Sequence, residues 1–461
     1  MESVDIIRDG TDYRSLHREP LPDVTGRPVA DLGLAPELLI RRILATGTAL
    51  AEPDSRLFDA IAAAGQLFAT GNVAGESPEQ YCHHQSRTSG IPIRAAHRAL
   101  HTIAEATAGL ADALTAQQPR ATGSDGVAWA RRGHTLAVLA PGNHPLPHAE
   151  WLPALGLGYR VLVRPSRRDP YTPRRLIRAL LAAGVAPERL ALLPTDHATA
   201  ATLVRAADLG LVYGGTDVVT AYAGNPAVRV QGPGRSKVLI TGDADPYDYL
   251  DVLVESVAGD GGTQCLNATT ILLEQGLDHA RFARELAERL AALVGRPPEH
   301  PDAELPVRTV AEARAVADHV TSVAGAQLVG DSRHRYTDLE DGSAALLPAV
   351  FHTDTPGAPT ATEQPFPCVW IAPWTRNIGI GALADSLALT LLSRDATLAA
   401  RCAATPTIRA VHLGPTPTTT YHPHRPHDGY LSHFLMEART YTSDWGRSTG
   451  VRSTPSDVDS P

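Results

Sequence analysis

Of the four cysteines in the chain, Cys265 stands in the setting that best suits chemistry. It ends the run Gly261-Gly-Thr-Gln-Cys265 and precedes a β-branched, apolar stretch. A thiolate attacks a carbonyl carbon well and later departs well, so such a residue can carry an acyl group. The competing reading is a buried structural thiol, and it stands for Cys82, Cys368 and Cys402, which fall in helical or apolar surroundings. Other polar groups recur in short, loop-like motifs: Asn143 within Pro141-Gly-Asn-His-Pro145, and Gln231 and Gly232 at the head of Gln231-Gly-Pro-Gly-Arg-Ser-Lys237. Glu363 heads Glu363-Gln-Pro-Phe-Pro-Cys368. Gly215 and Thr216 close a strand and open a helix, where a bare backbone and free N–H groups suit a phosphate. Pro-Gly-Asn is ordinary turn chemistry, and a Glu before a Pro-rich turn is often a solvated charge.

These motifs need elements to hold them. Residues 36–115 read as helices, with apolar residues recurring at helical spacing around Leu100, Ile103 and Leu110. The first 30 residues are polar and Pro-containing and predict loose packing. Val127–Ala130 and Thr135–Ala140 read as strands joined by an Arg131-Arg132-Gly133 hairpin connection. Strands at Arg160–Arg164, Leu190–Leu193 and Leu209–Tyr213 then alternate with helices at Pro173–Ala183 and Ala198–Ala206. A second alternating region spans 238–415, with strands at Val238–Thr241, Thr269–Leu273 and Val369–Ala372. Its helices are expected at Tyr247–Ala258, His279–Val294, Val310–Val323, around Leu383–Leu392, and at Ala396–Ala404. Alternation of this kind predicts two α/β units with mainly parallel sheets. The Ser/Pro/Asp-rich end of the chain reads as frayed.

There is no G-x-G-x-x-G after a first strand, no Walker A motif and no G-x-S-x-G elbow. Instead, the order and spacing of the motifs, with Cys265 lying 34 positions after Gln231, resemble the aldehyde dehydrogenase superfamily over about residues 36–440. The Thr88-Ser-Gly-Ile-Pro92 stretch and the PHDGYLSHFLMEARTY ending resemble its acyl-thioester-reducing branch, which includes fatty-acyl reductases of bioluminescence and reductase-like proteins of phenazine-antibiotic pathways. The resemblance implies an aldehyde dehydrogenase-like α/β fold. In it, residues 1–117 and 135–237 form an NAD(P)-binding domain and 238–415 a catalytic domain. Residues 118–134 and 416–461 form a small β extension for assembly into a homodimer or homotetramer.

It also implies roles. Cys265 is the nucleophile, and Asn143, with the Cys265 backbone N–H, is the oxyanion donor. Gln231 departs from the pattern: the hydrolytic members carry a Glu there that activates water, and an amide cannot take that proton near neutral pH. An acyl group on Cys265 would therefore survive until hydride reaches it, which suits reduction of a CoA or carrier-protein thioester to an aldehyde. Alternatives are aldehyde oxidation to an acid, acyl transfer to an amine without redox, or a non-catalytic scaffold. Arg164, Ser166 and Arg167 match the stretch that reaches the adenosine side of the cofactor. Arg167 stands where NAD-preferring members often place a Glu, and its guanidinium suits a 2′-phosphate, so NADPH is expected over NADH. Gly215, Thr216 and Gly232 match further cofactor contacts, and Glu363 the residue that holds the nicotinamide ribose.

Composition bounds these expectations. The chain has 461 residues, 41 Lys+Arg against 50 Asp+Glu and a net charge of −9, which argues against nucleic acid as a partner. No apolar run is long enough to span a membrane, and the N-terminus lacks an apolar leader core, so a reducing cytoplasm is the expected location. The cysteines form no disulfide framework and show no C-x-x-C spacing, which argues against a structural zinc. An acyl-activating ligase is a conceivable partner of the acyl-thioester reaction.

Overall fold

The computed structural model describes residues 2–46, 50–119, 126–321, 327–330, 335–357, 362–425 and 427–441. Two seven-stranded sheets dominate it. The first runs in the order Val228–Gln231, Leu209–Tyr213, Thr135–Leu139, Arg160–Arg164, Leu190–Leu192, Ile6–Arg8 and Thr11–Tyr13. Its first five strands are parallel, with Leu136 opposite Leu209 and Thr135 opposite Arg160. The second sheet runs Gln327–Leu328, Ala349–His352, Cys368–Trp374, Ala268–Glu274, Ser236–Ile240, Ser386–Leu392 and Ile408–Leu413. All but its first strand are parallel.

Helices cover both sheets because their apolar stripes have nowhere else to go. Helix Tyr171–Ala182 buries Leu176, Ile177 and Leu180 against the first sheet's core, and helix His279–Ala291 buries Phe282, Leu286 and Leu290 against the second's. Helices Ser55–Thr70, Pro78–Ser89 and Ile93–Ala108 lie within the predicted helical region. The helix at Pro78–Ser89 starts with a capping box between Ser77 and Gln80 and stops at Gly90, whose left-handed φ of 74° ends it.

Three expectations need correction. The first 30 residues are not loosely packed: Val4, Ile6, Ile7, Leu21 and Ala30 are buried in short strands, one of which, Ile6–Arg8, extends the first sheet. The Arg131-Arg132-Gly133 segment is not a hairpin turn. Strand Gly126–Arg131 pairs antiparallel with Met436–Tyr441 near the end of the chain, while Thr135–Leu139 joins the first sheet. The expected helix around Leu383–Leu392 is a strand, Ser386–Leu392, lying between Ser236–Ile240 and Ile408–Leu413. A parallel strand buried on both faces reads as a continuous apolar run, which periodicity cannot tell from a buried helix. The expected frayed tail lies outside the described residues, as do the last two residues of the helix expected over 310–323, which is seen as Val310–Thr321. No helix among the described residues is long and apolar enough to cross a membrane.

Candidate active site

Carboxyl ends of parallel strands in the first sheet face amino ends of strands in the second, and a cleft of about 1230 Å³ opens between them. Residues 140–147 follow Thr135–Leu139, Arg164 and Ser166 follow from Arg160–Arg164, and Tyr213 to Thr216 follow Leu209–Tyr213. From the other side come Thr263 to Leu266 before Ala268–Glu274, and Glu363 before Cys368–Trp374. Cys265, Asn143, Gln231, Arg164, Ser166, Gly215, Thr216, Gly232 and Glu363 all line this one space. Thus residues more than two hundred positions apart converge as the motif order predicted.

The Cys265 loop is locked to the Asn143 loop. Asn143 Nδ2 donates to the Thr263 carbonyl at 2.7 Å, and Thr263 Oγ1 donates back to the Asn143 carbonyl at 3.0 Å. Beneath them His144 Nε2 lies 3.1 Å from Asp260 Oδ2, which also accepts from Gln264 Nε2 at 2.9 Å. Burial pushes Asp260 upward, but the bond from His144 and the nearby guanidinium of Arg98 outweigh it and hold the carboxyl below its ordinary range. Asp260, Gly261 and Gly262 all have left-handed φ values of 50°, 84° and 65°. This reversal brings the chain back so that Thr263 and Cys265 face the cleft. The sequence singled out neither His144 nor Asp260, although both are almost completely buried. A His two residues after a Gly was the only signal for the first, and an Asp before Gly-Gly the only one for the second.

Cys265 is partly open to the cleft, whereas Cys82, Cys368 and Cys402 are buried. Burial pushes its thiol well up, and the carboxyl groups of Glu363, Asp428 and Glu150 add to the shift. Its own backbone N–H beside the sulfur works in the opposite direction. The resting side chain is therefore a thiol. Glu363 Oε1 accepts from the backbone N–H groups of Gly234 at 2.5 Å and Arg235 at 3.0 Å. Burial still raises Glu363 to about 7 against those two bonds.

Arg167 is the predicted site residue that the structure does not bring in. Its guanidinium pairs with Glu19 at 2.5 Å and does not line the cleft. The neighbouring Arg168 lines it instead, bound to Glu312 at 3.1 Å, and Arg308 lines it from the opposite unit. Two bends after a strand end sufficed to swap the two adjacent arginines, which sequence could not foresee. The remaining cleft fits a dinucleotide. Arg164 has a buried Nε without a hydrogen-bond partner, and a Cβ built on Gly215 would meet nothing within 4 Å. A Cβ on Gly142 would lie 2.2 Å from Ser166 Oγ, so the backbone must pass close there. Open backbone at a helix start, a hydroxyl and basic groups suit phosphates and ribose. Outside the cleft, His279, His352 and Asp354 bring possible ligand atoms within 4.8 Å of one another, as do Glu2, Glu76 and His84; neither group was announced by cysteine or histidine spacing.

The fold and the cleft define a class, and comparison with known proteins agrees with it. The sequence model of the aldehyde dehydrogenase family matches residues 24–377. The chain belongs to the aldehyde dehydrogenase family. It is 27% identical over 278 residues to betaine aldehyde dehydrogenase 2 of Rhizobium meliloti, covering 57% of each chain. It is 32% identical over 183 residues to N-succinylglutamate 5-semialdehyde dehydrogenase of Sphingopyxis alaskensis, covering 37% of this chain and 36% of that protein. The matched stretches thus span about half or less of these curated relatives. Among solved structures, an indole-3-acetaldehyde dehydrogenase bound to NAD+ superposes with a TM-score of 0.81 at 19% identity, covering 95% of this chain and 96% of that one. An NAD-dependent aldehyde dehydrogenase from Sinorhizobium meliloti gives 0.81 at 17% identity, with 97% and 96% covered. At these identities the structural likeness bears on the fold.

Proposed function

We propose that this protein reduces an acyl thioester to an aldehyde through an acyl group held on Cys265, with NADPH as the reductant. The observation that carries the reading is the side chain at position 231. Gln231 lines the cleft with Cys265 and cannot take a proton from water near neutral pH. In the first half-reaction the Cys265 sulfur attacks the thioester carbonyl. A carbon–sulfur bond to Cys265 forms, the bond to the leaving thiol breaks, and the Cys265 proton goes to that thiol. The Asn143 amide and the Cys265 N–H would donate to the oxygen as it gains charge. The acyl carbon would reach the aldehyde level by accepting a hydride, the chemistry that a reduced nicotinamide dinucleotide would supply when bound. The oxygen then reforms its double bond and expels the Cys265 thiolate, which takes a proton from solvent, so the chain returns to its starting thiol. Arg164, Ser166, Gly215, Thr216 and Gly232 would hold the dinucleotide, and Glu363 its ribose. Preference for the 2′-phosphate would rest on Arg168, with Arg167 engaged by Glu19.

A second reading, oxidation of an aldehyde to an acid, is favoured by the names of the relatives, which are aldehyde and semialdehyde dehydrogenases. Assay in both directions separates the two. Native protein should form aldehyde from thioester and NADPH and should release little free acid from aldehyde and NADP. Gln231→Glu should raise acid release at least tenfold. Fast acid release by the native protein, with no aldehyde made from thioester, would favour the second reading.

A further inference from the structure

Beyond the reacting centre, the same cleft holds a carboxyl group that neither half-reaction uses. Glu150 sits in the link between the 3₁₀ turn Leu146–Ala149 and helix Leu152–Gly156, on the segment that also carries Asn143. It lines the cleft together with Tyr213, Tyr421, His427 and Asp428. Tyr421 donates its hydroxyl to Glu150 Oε1 at 2.7 Å. The hydroxyl of Tyr213 is buried and has no hydrogen-bond partner. The guanidinium of Arg229, whose charge acts on Glu150, is committed elsewhere: it donates to the carbonyls of Asp428, Gly429 and Tyr430 and pairs with the Asp428 carboxylate at 3.5 Å. Among the described residues no Arg, Lys or His forms an ion pair with Glu150.

A half-buried carboxyl with no ion-pair partner in contact has two ways to be stable. It keeps its proton, or it meets a cation brought by a ligand. Burial and the nearby Asp428 raise Glu150 to about 7 against the Tyr421 bond and the Arg229 charge, which agrees with the first state. An unbranched alkyl chain entering here would strip water from Glu150 and return no bond to it or to Tyr213. A protonated amine would return charge-assisted hydrogen bonds to the carboxylate and a donor to the idle Tyr213 oxygen.

We infer that Glu150, with Tyr213 and Tyr421, forms a subsite that selects an acyl group carrying a primary or secondary ammonium. The inference names the substrate class and rests on the acyl-enzyme reading of Cys265. It excludes a long fatty acyl chain as the preferred substrate. It also ranks a quaternary ammonium below an N–H-bearing one, because the subsite works through N–H donation.

Two measurements on the full chain keep the subsite and the acyl-enzyme reading apart. The first is alkylation of Cys265 by iodoacetamide, followed by intact mass. Butylammonium should slow it at least fivefold more than equimolar butanol, and Glu150→Gln should abolish the difference. The second is acylation without nicotinamide, using the shape-matched pair β-alanyl-CoA and butyryl-CoA and the longer pair 6-aminohexanoyl-CoA and heptanoyl-CoA. The amine-bearing member should acylate Cys265 at least tenfold faster in at least one pair, and Glu150→Gln should bring that ratio near one. Equal protection by butylammonium and butanol, with equal acylation rates, would overturn the subsite while leaving the acyl-enzyme intact. Amine-selective protection without any acyl adduct would support the subsite and overturn the reading of Cys265. A 3-trimethylammoniopropanoyl thioester that outruns the β-alanyl one would overturn the claim that N–H donation selects.

Discussion

The backbone of Gly234 presses against the carbonyl of Cys265: a Cβ on Gly234 would lie 1.8 Å from that oxygen. The same carbonyl accepts from Ser236 Oγ at 3.1 Å, and the Gly234 N–H donates to Glu363. One residue without a side chain thus sets the spacing between the Gln231 motif, the nucleophile loop and the Glu363 loop. Gly234→Ala would push two backbones apart in a place where neither is a flexible side-chain end. We expect acylation of Cys265 to fall by more than a hundredfold and the melting temperature to drop by several degrees, since overpacking typically costs about 1–3 kcal/mol. Intact-mass acylation and thermal unfolding check the two effects separately. A variant with native melting and native acylation would show that the spacing is not critical.

Asn143 has two N–H donors, and Thr263 uses one at 2.7 Å. That bond fixes the amide plane and leaves the other donor for the cleft. Removal of one oxyanion donor costs about 3–4 kcal/mol of transition-state stabilisation. Asn143→Ala should therefore lower kcat for aldehyde formation by two to three orders of magnitude. It should leave iodoacetamide alkylation of Cys265, which develops no oxyanion, within severalfold of native. Parallel loss in both assays would instead point to a displaced Cys265 loop.

The parallel strands and the motif order were legible because short β-branched runs, glycine stops and charged turns are local signals. Leu209–Tyr213 appears with the bounds the sequence suggested, and Cys265, Asn143, Gln231 and Glu363 share the cleft. What stayed hidden depends on contacts across the chain. Strand Ser386–Leu392 is buried on both faces, so its apolar run had no period to read. Arg167 and Arg168 are chemically identical neighbours, and distant partners, Glu19 for the first and Glu312 for the second, accompany their different placement. His144 and Asp260 are 116 residues apart in sequence, and each was unremarkable until the fold placed them together.

Glu150 makes stability depend on pH in a direction opposite to a salt-bridged carboxylate. Its folded-state value is raised from 4.5 to about 7, with burial the largest cause. The folded chain then holds a proton that the unfolded chain releases between those values. The contribution is fully present below about pH 4.5 and is lost as pH rises through about 7. A displacement of this size corresponds to roughly 3 kcal/mol at most. Glu150→Gln, which keeps an acceptor for Tyr421, should match native stability at pH 5 and exceed it at pH 8. Urea unfolding at the two pH values measures the difference. A variant less stable than native at pH 8 would mean that the ionised carboxylate finds a partner in the folded chain.

Cys265 reactivity should show the burden of its surroundings. Burial is the main cause of its raised value, and Glu363 is the first of the charges that add to it. Because the folded thiol is raised, the thiolate fraction at pH 7 is small and grows about tenfold per pH unit. Iodoacetamide alkylation of the ligand-free chain should rise with that slope to at least pH 9 without a plateau. Glu363→Gln removes a negative charge while leaving an oxygen to accept from Gly234 and Arg235. It should speed alkylation at pH 8 severalfold. A plateau near pH 7 in the native chain would show that the nucleophile is ionised before substrate arrives. In that case Glu363 would not restrain it, and the variant would leave the rate where it was.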